Sequence, residues 1–162
     1  GDATPHLPVM QHAIEFMEKK LGLTFDYAVI LQPTSPFRTV EEVDGTIRLI
    51  LETGADSGAS IVEVRGGDHP MKARRLLRDN RIVPYCMEEV ATYQRHDYPI
   101  VYKRSGDVYV ATRNMLMREG KLYGDTVGYI VPQDKTVNID DEFDWLKAEY
   151  ILAHRLKGHP NE

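Results

Sequence analysis

The chain has 162 residues, 42% hydrophobic and 28% charged, which suits one globular domain with a sizeable core rather than a disordered segment. A net charge of −5 argues against a dedicated nucleic-acid binder, and the single cysteine, Cys86, excludes an internal disulfide and a cysteine-rich zinc site. No apolar run is long enough to cross a bilayer and no secretory pattern is present, so the expectation is a cytoplasmic protein with no membrane partner.

The first predicted element is a helix opening at Thr4-Pro5. Met10, Ala13, Ile14, Met17 and Leu21 recur at helical spacing, and Gly22 supplies the stop. Tyr27 to Leu31 is a short apolar run without polar alternation, the pattern of a strand covered on both faces. A second helix follows. Thr39 and Glu42 form a capping-box pattern, and Val40, Val43, Ile47, Ile50 and Leu51 make its apolar face. Ser60 to Val64 reads as the next strand. Strand, helix, strand in this order predicts a βαβ crossover and an α/β fold.

The middle of the chain departs from this rhythm. Arg74 to Pro84 alternates apolar and basic residues around Asp79-Asn80 and reads as a tight hairpin. Glu88 to Pro99 is polar and irregular, an excursion from the sheet. Gly106 to Thr112 resumes a strand, Asn114 to Arg118 forms a short helix, and Gly128 to Val131 is a further strand. The last helix begins at Asp140-Asp141, with Phe143, Leu146, Tyr150 and Ala153 as its apolar stripe.

In open α/β sheets, ligands bind outside the carboxyl ends of the strands. The segment Leu31-Gln32-Pro33-Thr34-Ser35-Pro36-Phe37-Arg38 lies at such an end. Gln32 carries a donor and an acceptor suited to a sugar hydroxyl or amide, Thr34 and Ser35 bring hydroxyls, and Arg38 suits a carboxylate or phosphate. The competing reading is a proline-stiffened turn with Arg38 in a structural ion pair. A second cluster is Asp68-His69-Pro70-Met71-Lys72, ahead of Arg74, Arg75, Arg78 and Arg81. Lys72 is the candidate anion contact there, whereas the hairpin arginines read as edge-protecting charges. Arg95 is a candidate for an anionic ligand. Asp141 and Glu142 have the placement of helix N-terminal charges, and Asp140, just before them, is a candidate Mg²⁺ ligand. The six histidines show no H-x-x-x-H pair, and no zinc site is proposed.

Taken together, LQPTSPFR after an apolar strand, DHPMK after the next, then YQRHDYP, RSGDVYV and VNIDDEFDWLKAE resemble the acylneuraminate cytidylyltransferases, the CMP-sialic acid synthetase family. The resemblance runs from about Asp2 to Ala153. It implies a three-layer, Rossmann-like nucleotidyltransferase sheet in a single domain over residues 1–162. It also implies a protruding dimerisation element at approximately 68–104, hence a homodimer. The implied activity is transfer of CMP from CTP to the anomeric hydroxyl of a nine-carbon acid sugar, with release of pyrophosphate and with Mg²⁺ as cofactor.

Residue by residue, the resemblance makes Gln32 a sugar contact, Lys72 and Arg95 cations offered to the partner subunit's site, Tyr109 a lining of the sugar pocket, and Asp140 a metal-associated aspartate. The chain lacks the family's opening strand and its basic, glycine-containing phosphate loop. Asn138 stands where the family has its first metal aspartate, Lys103 where an arginine is common, and Ser105 where an asparagine is common. The expectation is an N-terminally truncated form, weak or inactive alone. The rival expectations are a non-catalytic binding or assembly module, and activation of a pseudaminic-, legionaminic- or Kdo-like sugar.

Overall fold

The computed structural model describes residues 5–86 and 97–157. Helix α1 (His6–Leu21) follows Pro5 and ends at Gly22, whose left-handed φ of 67° lets its N–H return to the Glu18 carbonyl. Strand β1 (Tyr27–Ile30) leads to α2 (Val40–Thr53). The expected capping box opens α2: the Glu42 N–H donates to Thr39 Oγ1, and the Thr39 N–H donates to Glu42 Oε2. There follow β2 (Ser57–Glu63), β3 (Arg74–Leu76), β4 (Ile82–Pro84), β5 (Tyr102–Thr112), β6 (Thr126–Ile130) and α3 (Glu142–Lys157). Among the described residues, no helix is long and apolar enough to cross a membrane.

Four strands form one sheet in the order β1-β5-β2-β6. β5 runs antiparallel to β1, with Tyr27 opposite Thr112 and Ile30 opposite Tyr109, while β6 runs parallel to β2. Asp56 meets Thr112 and Ser60 meets Val108, so β5 also opposes β2 in direction. The helix-linked strands β1 and β2 therefore sit on either side of β5, and the α/β sheet is mixed. Ile14 of α1 packs with Ala111, Met115 and Leu116 on one face, whereas Ile50 of α2 packs with Val108 and Val110 on the other. These helices and the sheet between them make three layers.

Several boundaries differ from the sequence expectation, among them β6, which runs Thr126–Ile130 rather than Gly128 to Val131. β2 starts three residues early, at Ser57. β5 starts at Tyr102, and its polar lead-in is held because buried Ser105 donates through Oγ to Ser60 Oγ at 2.7 Å. The short helix is a π-helical turn, Met115–Glu119. At the far end of β5, Arg113 donates from Nε and Nη2 to the two carboxylate oxygens of Glu18 at 2.7 and 2.9 Å. That fork, joined by the Phe25 N–H, holds the Glu18 carboxyl below its ordinary range. Its contribution to stability is present above the unfolded carboxylate pKa and is lost as pH falls through the lowered value.

The expected stripe of α3 is a correction. Phe143, Leu146 and Tyr150 are 81%, 55% and 64% exposed, and Ala153 is exposed as well. The inward face is Ala148 and Ile151, packed with Val137, Phe37 and Ile139. Periodicity alone allows either face. Small Ala148 permits close approach, and Arg155 adds a cation over the Phe37 ring at 4.7 Å.

The chain divides into two compact units, Gly1–Ile61 with Arg104–Glu162, and Val62–Lys103. In the second, β3 and β4 form the expected antiparallel hairpin, and Asn80 takes the left-handed turn position at φ 62°. Buried His69 organises the preceding segment: Nδ1 accepts from the Met71 N–H, and Nε2 lies 2.9 Å from the Pro99 carbonyl. An accepting Nδ1 leaves Nε2 to donate to the Pro99 carbonyl.

Glu42 supplies a test of the α2 cap. Burial, more than any neighbour, raises its carboxyl pKa, with Asp107 adding in the same direction. The stability this linkage contributes is present below the unfolded pKa and is lost as pH rises through the folded one. Glu42→Gln keeps the box geometry without the buried charge. It is expected to match or exceed the parent in thermal stability at neutral pH, with the advantage shrinking in acid. A variant clearly less stable at neutral pH would show that the charge itself is needed.

Candidate functional site

The turn after β1 is assembled from its own backbone. Ser35 N–H returns to the Gln32 carbonyl, and Arg38 Nη1 donates to the carbonyls of Gln32 (3.1 Å) and Asp107 (2.8 Å). Arg38 thus clasps the turn to β5. The Ile139 N–H donates to the Thr34 carbonyl at 2.9 Å, which brings the segment before α3 alongside.

Asn138 is the hub of this meeting. Its Oδ1 accepts from Thr34 Oγ1 at 2.7 Å and from buried Ser35 Oγ at 3.4 Å. Its Nδ2 donates to Asp140 Oδ2 at 2.7 Å. The amide is therefore fixed in orientation, oxygen toward the hydroxyls and nitrogen toward the carboxylate. Asp140 is exposed, and its own N–H is held by Asp144 Oδ2. Asp141 Oδ1 accepts from the Asp144 N–H, in keeping with its expected role at the start of the helix.

β5 supplies the third wall. Gly106 has φ +92°, and a Cβ there would stand 3.0 Å from both Asn138 Oδ1 and Ser35 Oγ. Only glycine suits that conformation and that approach. Ser105 to Val108 are all buried, so the alternation of a regular strand is broken at this glycine. Asp107 is 1% exposed. Its Oδ2 accepts from Thr136 Oγ1 at 2.7 Å, whereas its Oδ1 has no hydrogen-bond partner among the described residues.

Beyond Gly106, Tyr109 meets the ring of Tyr123 edge-on at 6.3 Å, and the Arg104 guanidinium lies over that same ring at 4.7 Å. Burial raises the Tyr109 hydroxyl pKa; Tyr123, Asp107 and Asp140 add to the rise, and Arg104 opposes it. On the other flank, a groove of about 290 Å³ runs past Gln32, Pro33 and Thr34 to His6, Val9 and Met10 of α1.

Gln32, Thr34, Ser35, Arg38, Tyr109 and Asp140 thus all belong to the first unit, at or beside the carboxyl end of β1. Lys72 belongs to the second unit, where it ends a 3₁₀ turn capped by His69 and its Nζ lies 5.6 Å from the Tyr98 ring. Arg95 lies outside the described residues. Sequence reasoning missed the hub role of Asn138 and the Arg104–Tyr123 pair. Neither follows from local spacing, since each depends on segments brought together by the fold.

A scan against protein-family models finds no match. Among curated proteins, the chain is 28% identical over 156 residues to a CMP-N,N'-diacetyllegionaminic acid synthase of Legionella pneumophila, a match covering 93% of this chain. It is 24% identical over 136 residues to an N-acylneuraminate cytidylyltransferase of Escherichia coli, covering 82% of this chain. It is 20% identical over 156 residues to the post-translational flagellin modification protein B of Campylobacter coli, covering 96%. The chain spans 65%, 32% and 65% of the lengths of these relatives. Matched across most of its length, the chain is similar to curated cytidylyltransferases that activate acid sugars, including an N-acylneuraminate cytidylyltransferase, and this supports the resemblance carried by its ordered motifs.

Proposed function

We propose that this chain carries the acid-sugar side of a CMP-sugar synthase: CTP transfers CMP to the anomeric hydroxyl of a nine-carbon acid sugar, and pyrophosphate leaves. The observation that carries the reading is the meeting of the Gln32–Arg38 turn, Gly106 and the Asn138–Asp140 segment beside one strand end. The Legionella relative, whose name specifies a diacetylated legionaminic acid, makes that sugar the first to try, ahead of sialic, pseudaminic and Kdo-like acids.

In this reading, Gln32 and Tyr109 orient the sugar, and Thr34 and Ser35 hold the turn that presents them. Lys72 and Arg95 are the cations that each protomer of a homodimer offers to the partner subunit's site, as the family resemblance implies. Positioning carries most of the rate, because the sugar hydroxyl must be aligned with the α-phosphate and no side chain at the strand end is set up as a strong base.

Asp140 offers one exposed carboxylate, and the described residues hold no group of three or more His, Cys, Asp or Glu side chains placed to share a metal ion. That thin donor set suits Mg²⁺, which binds through one or two carboxylates and fills its remaining positions with phosphate and water oxygens. When bound, Mg²⁺ neutralises triphosphate charge.

Turnover by this chain alone is expected to be weak. Its sequence contains no glycine-rich phosphate motif, and the amide of Asn138 occupies one side of Asp140. The test is pyrophosphate release with CTP, Mg²⁺ and a panel of nine-carbon acid sugars, alongside sugar binding by calorimetry. Saturable sugar binding with slow release supports the proposal. Sugar binding with no release at all favours a non-catalytic sugar-binding module, the reading that the Asn138–Asp140 bond supports. Absence of both sinks the sugar assignment.

A further inference from the structure

We infer that Arg104, stacked on Tyr123, is the carboxylate-recognition residue of the sugar site. The inference rests on the acid-sugar reading above and gives a role to Arg104, which opens the motif RSGDVYV and to which the resemblance assigns no contact. Arg104 is exposed, and among the described residues its recorded contact is the Tyr123 ring, 4.7 Å from its guanidinium carbon, with no ion pair. A guanidinium lying on a ring keeps its edge N–H groups free, in a planar fork that fits both oxygens of a carboxylate. Stacking also limits the rotamers the side chain must give up on binding, which strengthens the contact.

The placement is specific to this backbone. In a regular strand, Arg104 and Tyr109 are five residues apart and point to opposite faces. The left-handed Gly106 between them shifts the phase, and both side chains reach Tyr123. Tyr109 in turn stands opposite Ile30, two residues before Gln32. The fork is therefore carried on the wall that bears the proposed sugar contacts.

The charge balance selects the ligand. Among the described residues, the cation acting on the Tyr109 hydroxyl is Arg104, opposed by the carboxylates Asp107 and Asp140. A single guanidinium matches a monoanion. A triphosphate calls for several cations or a nest of amides, which this wall lacks among the described residues.

The test uses the 162-residue chain with three probes: N,N'-diacetyllegionaminic acid, its C1 methyl ester, and inorganic pyrophosphate. The parent is expected to prefer the acid to the ester. Arg104→Gln is expected to weaken acid binding about ten- to a hundredfold while leaving ester and pyrophosphate unchanged. Tyr123→Leu, which removes the platform but keeps the charge, should shift the acid in the same direction by less. Circular dichroism melts establish that both variants are folded.

The inference is overturned if Arg104→Gln keeps the parent's preference for acid over ester. It is also overturned if acid and ester weaken together, which marks a structural role, or if only pyrophosphate weakens, which marks a phosphate contact. A parent that binds neither sugar probe sinks the sugar-site reading and this inference with it. A parent that binds while the variant is unchanged sinks the inference alone.

Discussion

Gly106→Ala is expected to cost about 2–4 kcal/mol of folding stability and to abolish acid-sugar binding. At φ +92° an L-residue is strained by roughly 1–3 kcal/mol, and overpacking adds a cost of the same order. The neighbours cannot yield easily. Ser35 is 1% exposed, and Asn138 Oδ1 is committed to the Thr34 hydroxyl at 2.7 Å. Relieving the contact means pulling the Asn138 segment away from the turn, which takes Asp140 with it.

Gly22→Ala is the natural comparison. Gly22 has φ +67° but meets nothing within 4 Å, so it reports the conformational cost without the contact. Urea unfolding of the two variants separates the terms. If Gly106→Ala is no worse than Gly22→Ala, the close packing of the three segments carries no stability.

The second large effect belongs to Asn138→Asp. The substitution preserves the acceptor that faces Thr34 and Ser35. It replaces the donor facing Asp140 with a second carboxylate oxygen, at a position now bridged by a 2.7 Å hydrogen bond. Two carboxylates that close do not both ionise readily, so the pair should hold a proton well above the ordinary carboxylate range. Losing a hydrogen bond to a charged group and gaining a like charge is expected to cost about 1.5–3 kcal/mol in metal-free buffer at neutral pH.

The sign with pH follows from the raised value. The loss is small in acid and grows as pH rises through the pair's titration. Mg²⁺ should reverse it, since a divalent cation between the carboxylates removes the repulsion. Thermal melts with and without Mg²⁺ give the readout: a marked Mg²⁺-dependent rise for the variant and little for the parent. Equal Mg²⁺ dependence in the two proteins would remove Asp140 from the metal assignment.

What could be read in advance follows the range of the interactions. The α2 capping box needs only Thr39 and Glu42, three residues apart, and the hairpin needs only the Asp79-Asn80 turn between two short strands. Both are local, and both appear as expected. The inward face of α3 was not legible, because the Phe143–Leu146–Tyr150 stripe and the Ala148–Ile151 stripe are equally periodic. Which one is buried is decided by Val137 and Phe37, far away in sequence.

The same division holds at the site. Gln32, Thr34, Ser35 and Asp140 were visible as polar residues at a strand end and before a helix. The convergence of Thr34 and Ser35 on Asn138 spans more than a hundred residues and has no local signature. Arg104 had no local signature of a partner, because its contact with the Tyr123 ring is made across nineteen residues of chain. Gly106, left-handed between Arg104 and Tyr109, breaks the alternation that a regular strand would give.

The insertion of β5 between β1 and β2 also orders events in time. Neither early strand can complete its ladder with the other, because each borders β5, whose residues arrive some seventy positions after β1. Among the described strands, the Tyr27–Ile30 ladder closes only onto β5, and β2 closes onto β5 and β6, so the pairing of both spans a long stretch of sequence. Loop-closure entropy must be met before such long-range pairs reward it, so this insertion is expected to slow folding of the sheet relative to the locally paired β3–β4 hairpin.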